Sequence, residues 1–225
     1  MKIFALSTAE PGCSLAVSDG DTLVCDTFWH SRITHSRRLL SMAAALFPDQ
    51  TGFDLSAVDG FVAARGPGSF TGLRIGISAV MGMAVALSRP AAGVSSLDGI
   101  AFRFAESSVP VCVMMDARRG QVYCAAYWFD RGRLVRKTPE TVCPPDQAVA
   151  LAEAADALFA GSGARVYQDQ IACLTRGRGR MAPWSRHHIS AAALICAARM
   201  LPDFFSNPAN TLAPAYIRAE GPGGF

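Results

Sequence analysis

The densest glycine pattern in the chain lies at Arg65 to Gly76, RGPGSFTGLRIG. A glycine loop joining a strand to a helix can cradle phosphate, because the first N–H groups of the helix point outward and the helix dipole favours an anion. Gly66, Gly68 and Ser69 would line such a phosphate or nucleotide loop. Asp116 is the acidic residue to set beside them, since it closes a strand where many α/β proteins place phosphate or metal chemistry. The spacing fits neither a P-loop, which needs a lysine, nor the GxGxxG of a dinucleotide fold, and Pro67 removes one N–H donor. It favours a tight turn in which Ser69 or Thr71 caps the following helix. For Asp116, followed by Arg118 and Arg119, the plainer reading is a solvated turn.

The remaining reactive side chains do not form sites in sequence. His30 and His35 are five residues apart and His187 and His188 are adjacent, so neither pair has helical metal-ligand spacing. No serine sits in a GxSxG elbow, so a peptidase reading lacks a nucleophile. The seven cysteines, at 13, 25, 112, 124, 143, 173 and 196, are scattered and include no CxxC pair. That argues against a disulfide framework and a zinc site, and it fits a reducing, cytoplasmic environment. The basic stretch Arg176-Gly-Arg-Gly-Arg180, with Arg186, His187 and His188 around Trp184, reads as a flexible solvated loop; contact with RNA phosphates is its other reading.

These residues must be positioned by a chain of 225 residues that is 51% hydrophobic, enough for one large domain or two small ones. A net charge of +3 gives no general pull towards nucleic acid or membrane. The apolar N-terminal run is broken at Glu10-Pro11, and Ile75 to Leu87 is too short and glycine-rich to span a bilayer. Short β-rich runs at 2–6, 13–17 and 23–28, separated by Glu10-Pro11-Gly12 and Asp19-Gly20-Asp21, predict an antiparallel meander. Helices are expected over 36–47, 71–87 and about 95–105, with strands at 60–64 and 91–94. A second meander, at 109–115, 122–129 and 134–137, begins the pattern again and points to an internal duplication. After it come an expected helix at 145–155, a strand at 157–160, a turn at 161–163 and a helix at 190–200. Two α/β lobes follow, 1–108 and 109–225.

The helix after the glycine loop is apolar nearly all round: Gly72, Gly76, Ala79, Gly82 or Met83, and Ala86 share one side, Leu73, Ile77, Val80, Met81, Ala84 and Leu87 another, and only Arg74, Ser78 and Ser88 break it. One sheet covers only one side of such a helix. The helix at 36–47 is also apolar, and surplus apolar surface marks an interface. The expected partner interface comprises His35, Leu39, Met42, Ala43 and Leu46 from the first helix and Leu73, Gly76, Ile77, Ala79, Val80 and Met83 from the second. Gly76→Arg or Ala79→Glu is then expected to block pairing while leaving the monomer folded.

Two lobes that each open with a three-strand meander are similar to the actin-like, ribonuclease H-like fold. RGPGSFTGLRIG, Gly93-Val-Ser-Ser-Leu97, His35-Ser36, Leu39-Leu40, Asp116-Ala-Arg-Arg-Gly-Gln-Val-Tyr123 and Pro214-Ala-Tyr-Ile-Arg218 together resemble the TsaB (YeaZ) family. The resemblance implies a non-catalytic scaffold subunit of the bacterial machinery that makes N6-threonylcarbamoyladenosine in tRNAs reading codons that start with A. Its implied partners are the TsaD transferase, the TsaE ATPase, a second copy of itself when TsaD is absent, and tRNA only indirectly. No cofactor of its own is implied; any ATP or ADP would sit at the interface of the complex. The family usually opens Asp-Thr-Ser/Ala where this chain has Leu6-Ser7-Thr8, and that aspartate organises metal and nucleotide in actin-like proteins. Ser7 therefore weighs against the alternative, a stand-alone actin-like ATPase or phosphotransferase.

Overall fold

The computed structural model describes residues 1–30, 35–201, 204, 212–215 and 217, with backbone only for 35–38. The described residues fall into two compact units, those within 1–102 and 189–215, and 103–188 with 217.

In the first unit, β1 (Lys2–Ser7), β2 (Gly12–Asp19) and β3 (Thr22–His30) form the antiparallel meander. The helix α1 (His35–Ala44) leads to β4 (Gly60–Gly66), α2 (Phe70–Ala86) and β5 (Ala91–Ser95). The sheet order is β3-β2-β1-β4-β5, with β1, β4 and β5 parallel. Central β1 is apolar without alternation, Ile3 to Leu6 all being fully buried, because both of its faces are covered. Phe4, Leu6, Leu15, Phe61 and Ala63 pack in one core with Leu39 of α1, Leu46 just beyond it, and Ile77 and Val80 of α2. Ser14 points the other way from Leu15, and its hydroxyl accepts the Ala191 N–H at 2.9 Å.

The second unit repeats the plan. β6 (Val111–Arg118), β7 (Gln121–Asp130) and β8 (Arg133–Lys137) form a meander, and β9 (Thr141–Cys143) adds to β7. β10 (Leu158–Ala160) runs parallel to β6, and β11 (Arg180–Met181) parallel to β10. The order β11-β10-β6-β7-β8 matches that of the first sheet, so the expected duplicated, helix-flanked mixed sheets of an actin-like protein are present.

Several expected elements differ. The helix expected at 95–105 is α3 (Asp98–Ala101) followed by a 3-10 turn at 102–104. The helix expected from Pro145 stops as α4 (Pro145–Ala150), and Glu153 takes a left-handed φ of 55° just beyond it. The expected turn at 161–163 instead starts α5 (Ser162–Val166), which is followed by α6 (Gln168–Leu174). The expected flexible loop at 176–188 contains β11 and a 3-10 turn at Trp184–Arg186. Residues 109–225 were expected to form one lobe, but the chain rejoins the first unit at Ile189, where α7 (Ala191–Ala198) packs against β1, β2, β4 and β5. The Ile189 N–H donates to Glu10 at 2.9 Å and fixes that return. No described helix is long and apolar enough to cross a membrane.

Candidate functional site

The glycine loop is held by the protein's own groups. The Ser69 hydroxyl caps α2 by accepting the Gly72 N–H at 3.2 Å, and the Ser69 N–H donates to Ala9 O at 2.8 Å. A Cβ on Gly66 would overlap the Ala215 carbonyl, and one on Gly68 would lie 2.8 Å from Ala9 Cβ. These glycines are thus needed for close approach within the first unit. Ser7, buried at the end of β1, accepts the Ala9 N–H at 3.4 Å, and Thr8 donates to Gly72 O at 2.7 Å. Asp116 belongs to the second unit. Its Oδ1 accepts the Arg118 N–H at 2.9 Å, and its own N–H donates to Ser162 at 3.1 Å, as in a turn. Among the described residues, no three His, Cys, Asp or Glu side chains gather as metal ligands.

The expected interface residues divide into two sets. Leu39, Ala43, Leu46, Leu73, Gly76, Ile77 and Val80 are buried within the first unit, which corrects their assignment to an outward surface. The cause is helix rotation. Gly72 and Gly76 face β1, where a Cβ on Gly72 would overlap the Thr8 carbonyl and one on Gly76 the Thr8 hydroxyl. The side chain of His35 lies outside the described residues. Met42, Ala79 and Met83 are partly exposed.

The outward side of α2 carries Thr71, Ser78, Gly82 and Ala86, all exposed, with half-buried Ile75 and Ala79 among them and Val85 60% exposed beside them. Nothing lies within 4 Å of a Cβ placed on Gly82. α1 lies beside α2, presents Leu40 at 63% exposure, and leaves a groove of about 350 Å³ against the sheet, lined by Leu15, Thr27, Trp29, Met42, Leu46 and Gln50. A row of small residues along a helix can accept another helix at close backbone distance. Gly82 was visible in the sequence as one of the small residues. Leu40, Val85 and Trp29 were not singled out, because which apolar residues face outward depends on helix rotation and sheet order.

The second unit holds an electrostatic feature absent from the sequence reading. Arg103 Nη1 lies 2.7 Å from His188 Nε2, and since guanidinium only donates, His188 must accept there as a neutral ring. Burial, then the Arg103 and His187 charges, push His188 down to about 4. Because the folded value lies below the usual 6.5, the unfolded chain binds the proton more readily. Stability is therefore complete above pH 6.5 and is lost as pH falls from 6.5 towards 4. Allowing for solvent screening at this half-buried ring, the loss is about 1–2 kcal/mol. Urea midpoints for wild type and His188→Gln at pH 7.5 and 5 check this: the wild type should lose more stability than the variant.

Two repeated mixed sheets, with a Ser69-capped helix packed on the first, are the architecture expected of the actin-like, ribonuclease H-like fold. A family model described as TsaD: tRNA N6-adenosine threonylcarbamoyltransferase matches residues 30–199. The solved structure titled YeaZ from Pseudomonas aeruginosa is 32% identical, with a TM-score of 0.77 over 96% of this chain and 99% of that one. A second Pseudomonas aeruginosa structure, titled as having similarity to peptidase YEAZ, is 31% identical with a TM-score of 0.81 over the same shares. The tRNA threonylcarbamoyladenosine biosynthesis protein TsaB of Bacillus subtilis is 33% identical over 68% of this chain, and that of Escherichia coli 35% over 58%. The matched stretches span 64% and 56% of those two relatives. The chain belongs to the TsaB (YeaZ) family.

Proposed function

We propose that this chain is the non-catalytic dimerisation and scaffold subunit of the cytoplasmic complex that makes N6-threonylcarbamoyladenosine in tRNAs reading codons that start with A. It pairs with and activates the TsaD transferase, helps recruit the TsaE ATPase, and pairs with itself when TsaD is absent. The observation that carries this reading is the outward side of α2: exposed Thr71, Ser78, Gly82, Val85 and Ala86, interrupted only in the first turns by exposed Arg74, whose guanidinium lies over the Phe70 ring, and flanked by Leu40 of α1. Leaving that surface in water is unfavourable at roughly 25 cal/mol per Å². Family membership supports the choice of partner, and the local hydrogen bonds made by Ser7, Ser69 and Asp116 support a role without chemistry of its own. The site thus comprises Met42, Ala79 and Met83 of the expected set, joined by Leu40, Gly82 and Val85.

Reconstitution tests the activation. Purified TsaD and TsaE, given tRNA and threonylcarbamoyl adenylate, should form modified tRNA at least tenfold faster with this chain than without it, while the chain alone with magnesium-ATP turns over nothing above blank. Equal rates with and without the chain would remove the scaffold role, and ATP turnover by the pure chain would favour the stand-alone ATPase.

A further inference from the structure

We propose that the segment from Thr175 to Arg186 in the second unit is an RNA-binding surface that takes the phosphate backbone and one unstacked base of a looped strand. The inference rests on the tRNA-modification reading above and deepens it, since the chain would then touch tRNA directly.

Residues 175–188 contain Arg176, Arg178, Arg180 and Arg186 and no acidic residue. All four arginines are exposed. Arg180 lies 3.5 Å from Asp156, with both side chains half exposed, whereas Arg176 and Arg178 form no ion pair among the described residues. Between Arg180 and Arg186 stands Trp184, 86% exposed, far more than any other described large apolar side chain. Leaving an indole in water is unfavourable unless something stacks on it. Guanidinium forks match phosphate oxygens bidentately, and aromatic faces stack on unpaired bases of any sequence. An acidic peptide would satisfy the arginines but would leave the flat indole unused, so RNA fits the pair of features better.

The surface is also pre-formed. Just past α6, Arg176 and Gly177 take φ of 54° and 73°, and the Gly177 N–H closes onto Ala172 O at 2.7 Å. The buried Thr175 hydroxyl donates to Ile171 O at 2.8 Å and accepts the Gly179 N–H at 3.1 Å, so one side chain ties both sides of the arginine turn. β11 then pairs with β10, and the Ala182 N–H donates to Phe159 O at 2.9 Å. Beyond Trp184, the buried His187 ring lies between Gly161 O at 3.1 Å and Ala182 O at 2.9 Å. Backbone anchored on both sides of the arginines and the tryptophan loses little entropy when a ligand binds.

Fluorescence anisotropy with the full chain and a labelled transcript of a tRNA reading a codon that starts with A tests the assignment between 50 and 200 mM salt. Arg176→Glu with Arg178→Glu should weaken binding at least tenfold and flatten the logarithmic salt slope by about 1.4, at about 0.7 per single-strand phosphate contact. Trp184→Ala should weaken it at least fivefold with the slope unchanged. Arg89→Glu with Arg133→Glu, the same charge change at exposed positions elsewhere, should have less than a threefold effect. The proposal is overturned if wild type binds no RNA, if the segment variants bind like wild type, or if the control pair weakens binding as much. Solution mass with TsaD, measured on the same samples, separates the two readings. A wild-type chain that pairs with TsaD but binds no RNA sinks this inference alone. Failure to pair while RNA binding follows the segment variants sinks the scaffold reading instead. Variants that keep RNA binding but lose pairing would make the segment a protein-docking surface and overturn the proposal.

Discussion

Gly76→Arg is expected to leave the first unit without a stable fold, and Gly72→Ala to lower its stability by about 2 kcal/mol. Both glycines sit where α2 crosses the end of β1, and a Cβ at either overlaps Thr8. At Gly72 the obstacle is the Thr8 backbone carbonyl, in a segment held by the Thr8 hydroxyl on Gly72 O and by the Ser69 N–H on Ala9 O. Overpacking of this kind costs about 3 kcal/mol, while alanine in place of glycine in a helix gains about 1 kcal/mol, so sterics win. At Gly76 the arginine adds an unpaired charge beside Leu6, a further cost of several kcal/mol against a total stability of about 5–15 kcal/mol. Urea unfolding followed by circular dichroism checks both. A Gly76→Arg chain that unfolds like wild type would mean that the faces of α2 are assigned the wrong way round.

Gly82→Arg, six residues further along the same helix, should do the opposite to the monomer and abolish pairing. Its Cβ meets open space, the position is exposed, and arginine is the better helix former by about 0.7 kcal/mol, so the free chain should be slightly more stable. In a close helix contact the same side chain must be buried or push the partner away, so pairing should weaken at least a hundredfold, equivalent to about 2.7 kcal/mol. Ala79→Glu should act the same way more weakly in the monomer assay, since Ala79 is already partly covered.

The contrast between these glycines shows how far the sequence could be read. Gly72, Gly76, Ala79 and Gly82 recur at helical spacing, so a small-residue surface was legible, as were the helix and its Ser69 cap. Which small residues face the sheet was not, because that rotation is set by Thr8, sixty-four positions from Gly72 in sequence. Both meanders were legible from alternation and turn residues. β11 was not: Arg180-Met181 has no strand character and becomes a strand only by pairing with β10. α5 and α6, five and seven residues long, are too short to show a period. The return of α7 to the first unit depends on Glu10 and Ser14, which no local pattern announces.

The central claim is that the outward side of α2 is where a catalytic partner docks, and solution mass tests it most directly. Wild-type chain mixed with TsaD should give one species of the summed mass, and Gly82→Arg, folded and equally soluble, should leave two separate species. A Gly82→Arg chain that still forms the complex at wild-type affinity would contradict the account.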